Sequence, residues 1–179
     1  CENQGPAFVF DTDEPDSVHI SGLTIINGNS DNGGAISISG ADPVFENMIF
    51  RDNSSSGNGG AVYANDSYSS FTNCVFSGND AIEGGALYLG DGDVSLSHCT
   101  LLNNTADDNS GIKNASSGNL KVFNSIYWGN DDISGNVDVS YSNVMGGYSG
   151  TGNFNGRPGF TDAENDDLTL LNWSPMISR

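Results

Sequence analysis

The chain is poor in cationic side chains. Arg51, Lys113, Lys121, Arg157 and Arg179 are the only Lys and Arg, His19 and His98 the only histidines, against 23 Asp and Glu, which leaves a formal charge of −18. Nucleic-acid phosphates and anionic lipid surfaces are bound by clustered Lys and Arg, so neither partner is expected. Three cysteines are too few for a disulfide-built scaffold. No apolar run approaches the roughly 18 residues that would span a membrane as a helix. Helical periodicity is missing as well: the apolar runs are short and sit between Gly, Asn, Asp and Ser clusters, which are strand and turn signals.

What the chain does have is a repeat. Gly33-Gly34-Ala35-Ile36, Gly59-Gly60-Ala61-Val62 and Gly84-Gly85-Ala86-Leu87 recur 26 and then 25 residues apart, and Ser110-Gly111-Ile112 falls one period on. A second signature keeps step: Phe45 to Phe50, Phe71 to Phe76, Leu96 to Leu101 and Val122 to Tyr127, each closed by an asparagine, Asn53, Asn79, Asn104 and Asn130. Units this small cannot bury an apolar face alone and must stack on one another. A coil of this length holds three short strands at about 3.3 Å per residue, each pairing in parallel with its counterpart one turn away. The expected fold is all-β: a right-handed parallel β-helix, a solenoid of about six coils. Residues 1–150 are read as coils and residues 151–179 as a C-terminal cap packed on the last coil.

Two-residue alternation assigns the side chains. Ile36, Val62 and Leu87 point inward, with Ile38, Ala64 and Leu89. Phe45, Phe71, Leu96 and Val122 form a second inner stack. Met48, Cys74, Cys99 and Ser125, with Phe50, Phe76, Leu101 and Tyr127, line a third. Cys74 and Cys99 are then buried neighbours, expected as free thiols. The Gly-Gly pairs mark a corner that a side chain would obstruct.

The outward face of the Gly-Gly strands is the candidate ligand site. Ser37, Tyr63 and Tyr88 stand there one above another, and exposed tyrosines stack on sugar rings and donate hydrogen bonds. Asp66 and Asp91, just after those strands, extend a polar rim. No cofactor is required by this reading. Calcium is compatible with two dense acidic loops, one carrying Asp11, Asp13 and Asp16, the other Asp162, Glu164 and Asp166, because oxygen ligands are the right chemistry; neither has EF-hand spacing. Catalysis has few candidate groups. A lyase or epimerase needs a positioned base and a cation, and basic residues are scarce. A hydrolase needs two converging carboxylates, whereas Asp107-Asp108 and Asp131-Asp132 fall in turns, where Asp caps its own backbone. His98 occupies a position that is asparagine in the sister coils and reads as structural.

The Gly-Gly-Ala strands, coupled to segments such as Phe71-Thr72-Asn73-Cys74-Val75-Phe76-Ser77-Gly78-Asn79, resemble the secreted right-handed parallel β-helix repeat proteins of bacteria. The likeness to chlamydial polymorphic outer-membrane proteins is more distant. Asn124 to Asn130 and Val139 to Val144 resemble that family's final coils; Pro158, Phe160, Asp162, Leu170 and Ser174-Pro175 resemble its terminal cap. Such coils occur in adhesins, in autotransported passengers and beside polysaccharide-degrading enzymes. The resemblance implies an extracellular, secreted or cell-surface module that binds a polysaccharide, a host or cell-surface glycan, or a protein. The alternatives are a polysaccharide-active enzyme, or a piece of one, and a structural stalk. The chain opens inside repeat-like material, Phe8-Val9-Phe10, so upstream coils or a further domain of the same parent protein are expected.

Overall fold

The computed structural model describes residues 5–12, 18–165 and 167–177. It is a right-handed parallel β-helix built on three six-stranded sheets, which enclose about five complete turns. The first sheet comprises Phe8–Phe10, Ile36–Ser39, Val62–Asn65, Leu87–Leu89, Ser110–Asn114 and Asp132–Gly135. The second comprises His19–Ser21, Val44–Glu46, Ser70–Thr72, Val94–Ser97, Leu120–Phe123 and Val137–Ser140. The third comprises Thr24–Ile26, Ile49–Arg51, Val75–Ser77, Thr100–Leu102, Ile126–Trp128 and Asn143–Val144. Four coils add a two-residue strand that sequence patterning does not reveal: Asn29–Ser30, Ser54–Ser55, Asp80–Ala81 and Thr105–Ala106 form a fourth sheet. No helix among the described residues is long and apolar enough to cross a membrane.

The inward columns are those that the alternation predicts. Ile36, Val62, Leu87, Phe45, Phe71, Leu96, Phe50, Phe76 and Leu101 are all completely buried. Because parallel pairing repeats each position one turn higher, identical aromatics must stack. Phe45 and Phe71 lie 4.8 Å apart between centroids, Phe50 and Phe76 4.9 Å, while Phe50 meets Phe71 edge-on at 6.2 Å. Each such pair adds about 0.5–1.5 kcal/mol beyond its burial. Tyr127 continues the third column, with Val144 beyond it, and its hydroxyl donates to the carbonyl of Asp131 at 2.6 Å. Burial pushes this phenol well above its ordinary pKa. Cys74 and Cys99 are buried free thiols, each donating to the carbonyl two residues before it.

The corners have their own chemistry. Gly59 has φ +70°, and a Cβ there would collide with the carbonyl oxygen of Val62, so the Gly-Gly signature is a steric demand of the bend. The corner between the second and third sheets places Asn47, Asn73, His98 and Asn124 at φ between 51° and 54°. Asparagine tolerates this left-handed conformation best, and His98 adopts it as a substitute, its ring edge-on to Phe123 at 6.4 Å.

After the third sheet the closing asparagines turn inward and form a ladder. Asn53, Asn79 and Asn104 are fully buried. Each donates its side-chain amide to a carbonyl of the preceding coil, Ile25, Phe50 and Phe76 respectively, at 3.0–3.1 Å. Each also donates both its backbone N–H and its Nδ2 to the Oδ1 of the next asparagine, from Asn53 to Asn79, Asn104 and Asn130. No buried side-chain polar atom among the described residues lacks a partner. That saturation is what allows amides to sit inside a solenoid.

The last coil is short. Ile112 pairs with Ile133 but Lys121 with Asp138, and the first-sheet pairing slips between Ser110 and Ile112. Beyond it the chain lays Phe154 against Ser142 and Val144, and Asn143 clasps the backbone of Gly156 in both directions. The segment then folds back as an antiparallel hairpin, Phe160–Asp162 with Asp167–Leu170, over the outer face of the third sheet. Leu168 faces Ile49 and Val75 across a small cavity of about 110 Å³.

Candidate functional site

The outer face of the first sheet is an uncovered column fixed by strand register. Val9, Ser37, Tyr63, Tyr88, Lys113 and Ser134 stand one above the next. Tyr63 and Tyr88 are half-buried, with ring centroids 5.7 Å apart and planes within 11° of parallel. They therefore use one face each on one another. The face of Tyr63 that remains is turned toward the Ser37 rung, where the small side chain leaves room. An open cavity of about 520 Å³ lies at that end, lined by Val9, Ser30, Asp31, Asn32 and Ser37 together with Gly5 and Pro6.

The other end is electrostatically dense. Lys113 Nζ donates to Asp108 Oδ2 at 2.9 Å, which holds the ammonium above its ordinary pKa. Burial pushes the Asp108 carboxyl up, but hydrogen bonds from Ser110 and from Lys113 outweigh it and hold the carboxyl below the usual range. Burial is also the main reason the Tyr88 phenol is raised; the negative charge of Glu83 and the neighbouring Tyr63 add to it, and Lys113 opposes it. Glu83 is thus an acid that acts on Tyr88.

The structure brings together Ser37, Tyr63 and Tyr88. Asp66 and Asp91 are exposed at the corner after the strands, Asp66 at φ +50° and Asp91 accepting the N–H of Gly92 at 2.8 Å, which is the backbone-capping role of turn aspartates. Sequence reading did not place Lys113 or Glu83 at this site, and it read Asp108 as a turn aspartate capping its own backbone, which its acceptance of the Ser110 N–H at 2.9 Å matches. Lys113 is the next member of the Ser37–Tyr63–Tyr88 series, one period beyond Tyr88, and following the register past the degenerate Ser110-Gly111 copy is enough to find it.

Neither acidic loop forms a described metal centre. Asp11 is exposed and engaged with other residues, while Asp13 and Asp16 lie outside the described residues. Asp162 accepts a hydrogen bond from Asn165 at 2.8 Å; Asp166 and the side chain of Glu164 lie outside the described residues. Among the described residues no three His, Cys, Asp or Glu converge as metal ligands would. Among the described residues, the one His–carboxylate contact, His19 Nε2 to Glu46 Oε2 at 3.2 Å, is on the exposed face of the second sheet.

Parallel sheets coiled around an apolar and amide-filled interior, with the tyrosine column facing out, define a right-handed parallel β-helix. The chain belongs to the family of right-handed β-helix regions, which matches residues 4–153. No curated protein and no solved structure matches it.

Proposed function

We propose that this solenoid is a non-catalytic glycan-binding module, working in adhesion on an extracellular protein, and that it engages a polysaccharide or cell-surface glycan along the Ser37–Tyr63–Tyr88 column. The observation that carries this reading is the Tyr63–Tyr88 stack. A pair of aromatic rings held in register on an uncovered sheet, with one free ring face above a small residue, is a pre-organised platform for a sugar. Parallel register supports an extended chain lying along the solenoid axis, since each coil presents its outward group one strand spacing, about 4.8 Å, from the last.

A glycan array probed in calcium and again in chelator tests it. Binding to at least one neutral or amino-sugar glycan is expected, together with a loss of about tenfold or more in the Tyr63→Ala/Tyr88→Ala variant. Absence of binding in both conditions, or binding untouched by the double substitution, overturns the reading and favours a stalk.

A further inference from the structure

A second cavity lies on the other side of the molecule and belongs to neither the tyrosine column nor the core. It measures about 370 Å³ and opens to solvent between the outer face of the third sheet and the returning segment 157–163. Leu102 and Trp128 form its floor, Pro158 and Phe160 its wall, and Asn103, Arg157, Thr161 and Asp162 supply polar groups. Its size falls at the lower end of the range for small-molecule sites, about 300–1,000 Å³, and suits one sugar ring.

The chemistry of the lining is specific. Trp128 is half-buried and, as an indole, has a large aromatic face on which a sugar ring can stack. Arg157 is exposed at the rim and makes no hydrogen bond or ion pair among the described residues, unlike Lys113, which is held by Asp108, and Arg51, which meets Asp52. In a chain of charge −18, a guanidinium with no partner among the described residues, beside an aromatic side chain, is a rare place where an anion meets a cation. Its fork matches a carboxylate or sulfate with two parallel hydrogen bonds. Asp162, also on the lining, forms no ion pair with Arg157; its carboxylate accepts from Asn165 and has lone pairs left for ligand hydroxyls.

We infer that this cavity is a second binding site, taking a single sugar ring that carries one anionic group, carboxylate or sulfate. The ring stacks on Trp128, the anion meets Arg157, and hydroxyls reach Asp162 and Asn103. The site does not depend on the tyrosine column.

Trp128 and Trp173 are the only tryptophans, so the Trp173→Phe protein reports on Trp128 alone. Titration of its fluorescence with glucuronic acid, glucose 6-sulfate and glucose is the experiment. A saturable change is expected with one or both anionic sugars, with glucose at least about tenfold weaker; the two anionic arms separate carboxylate from sulfate. Arg157→Gln, at an exposed position, should bring the anionic sugars to the level of glucose without moving the thermal midpoint. Equal response to all three sugars, no response to any, or a response unchanged by Arg157→Gln overturns the assignment. Should Trp173→Phe unfold, calorimetric titration of the unsubstituted chain against Arg157→Gln decides the same question. The Tyr63→Ala/Tyr88→Ala variant should leave this binding intact, so the two sites fail independently.

Discussion

The first and third sheets come from the same repeat, one after the other in every coil, yet their outer faces have been put to opposite uses. The first presents Ser37, Tyr63, Tyr88 and Lys113 to open solvent. The third presents Ile49, Val75, Leu102, Ile126 and Trp128 beside Arg51, Ser77 and Thr100, a more apolar face that the C-terminal hairpin partly covers. Coverage grades along the solenoid: Leu102 is 3 % exposed, whereas Ile49, nearer the amino-terminal end, is 38 % exposed. Inward positions of a solenoid are constrained by the column above and below them. Outward positions are free of that constraint, so the two faces could diverge, one into a lid-bearing wall and the other into a bare column.

The largest test of that contrast is removal of the hairpin. Ending the chain after Gly156 should strip the third sheet and cost about 3 kcal/mol or more, from the re-exposure of Leu102 and its apolar neighbours. Denaturant unfolding would show the loss, and dye binding to the newly bare face would accompany it, while the first sheet keeps its tyrosine stack. Unchanged stability would mean that the hairpin merely rests on the coils.

Next in size is Asn79→Leu, which attacks the ladder at the corner following the third sheet. It removes the Oδ1 that accepts the backbone N–H and Nδ2 of Asn53, strands the carbonyl of Phe50 in a dry interior, and takes from Asn104 Oδ1 one of its two donors. Buried groups left unpaired cost about 1–3 kcal/mol each, so a loss of about 2–4 kcal/mol is expected by chemical denaturation. A loss below about 1 kcal/mol would show that water or a backbone shift replaces the ladder.

The faces can also be compared residue for residue. Leu102→Ala beneath the hairpin should cost about 2–4 kcal/mol. Tyr63→Ala on the bare column should cost about 1 kcal/mol or less while reducing glycan binding. If the two destabilise equally, the tyrosine stack is structural and the contrast between the faces collapses.

The inward columns were legible because a two-residue alternation repeated every coil leaves little freedom: Phe45, Phe71 and Leu96 could be read off directly. The asparagine ladder was visible only as a spacing. Whether Asn53 caps a surface turn or turns into the core depends on how the corner closes, and alternation does not report that. The hairpin's return over the third sheet was not legible either, since its contacts join residues such as Leu168 and Val75 that share no period. Still, the outward Ile49, Val75 and Ile126 were a sign that something covers this face. At the site, Tyr63 and Tyr88 followed from register, whereas Glu83 sits just before the glycine corner and owes its effect on Tyr88 to the bend.

The smallest expected effect separates an interior tyrosine from an outward one. Tyr127 and Tyr88 both have raised phenols, Tyr127 through near-complete burial and Tyr88 through lesser burial with help from Glu83. A folded pKa above the unfolded value of about 10 means that the folded state holds its proton more tightly. The stability this contributes is fully present below about pH 10 and is lost as pH rises through the folded value. Alkaline titration followed by ultraviolet absorbance should therefore show Tyr88 ionising in the folded protein and Tyr127 only together with unfolding. Tyr127→Phe should remove part of the alkaline loss of stability at a cost, near neutrality, of about 1 kcal/mol for the hydrogen bond to Asp131. Tyr88→Phe should leave the alkaline unfolding limb almost in place, because an outward phenol can ionise without opening the coil. Simultaneous ionisation of both tyrosines in the folded protein would show that the third column is open to water at Tyr127, and that inner column and outer face are less distinct there than the middle coils make them.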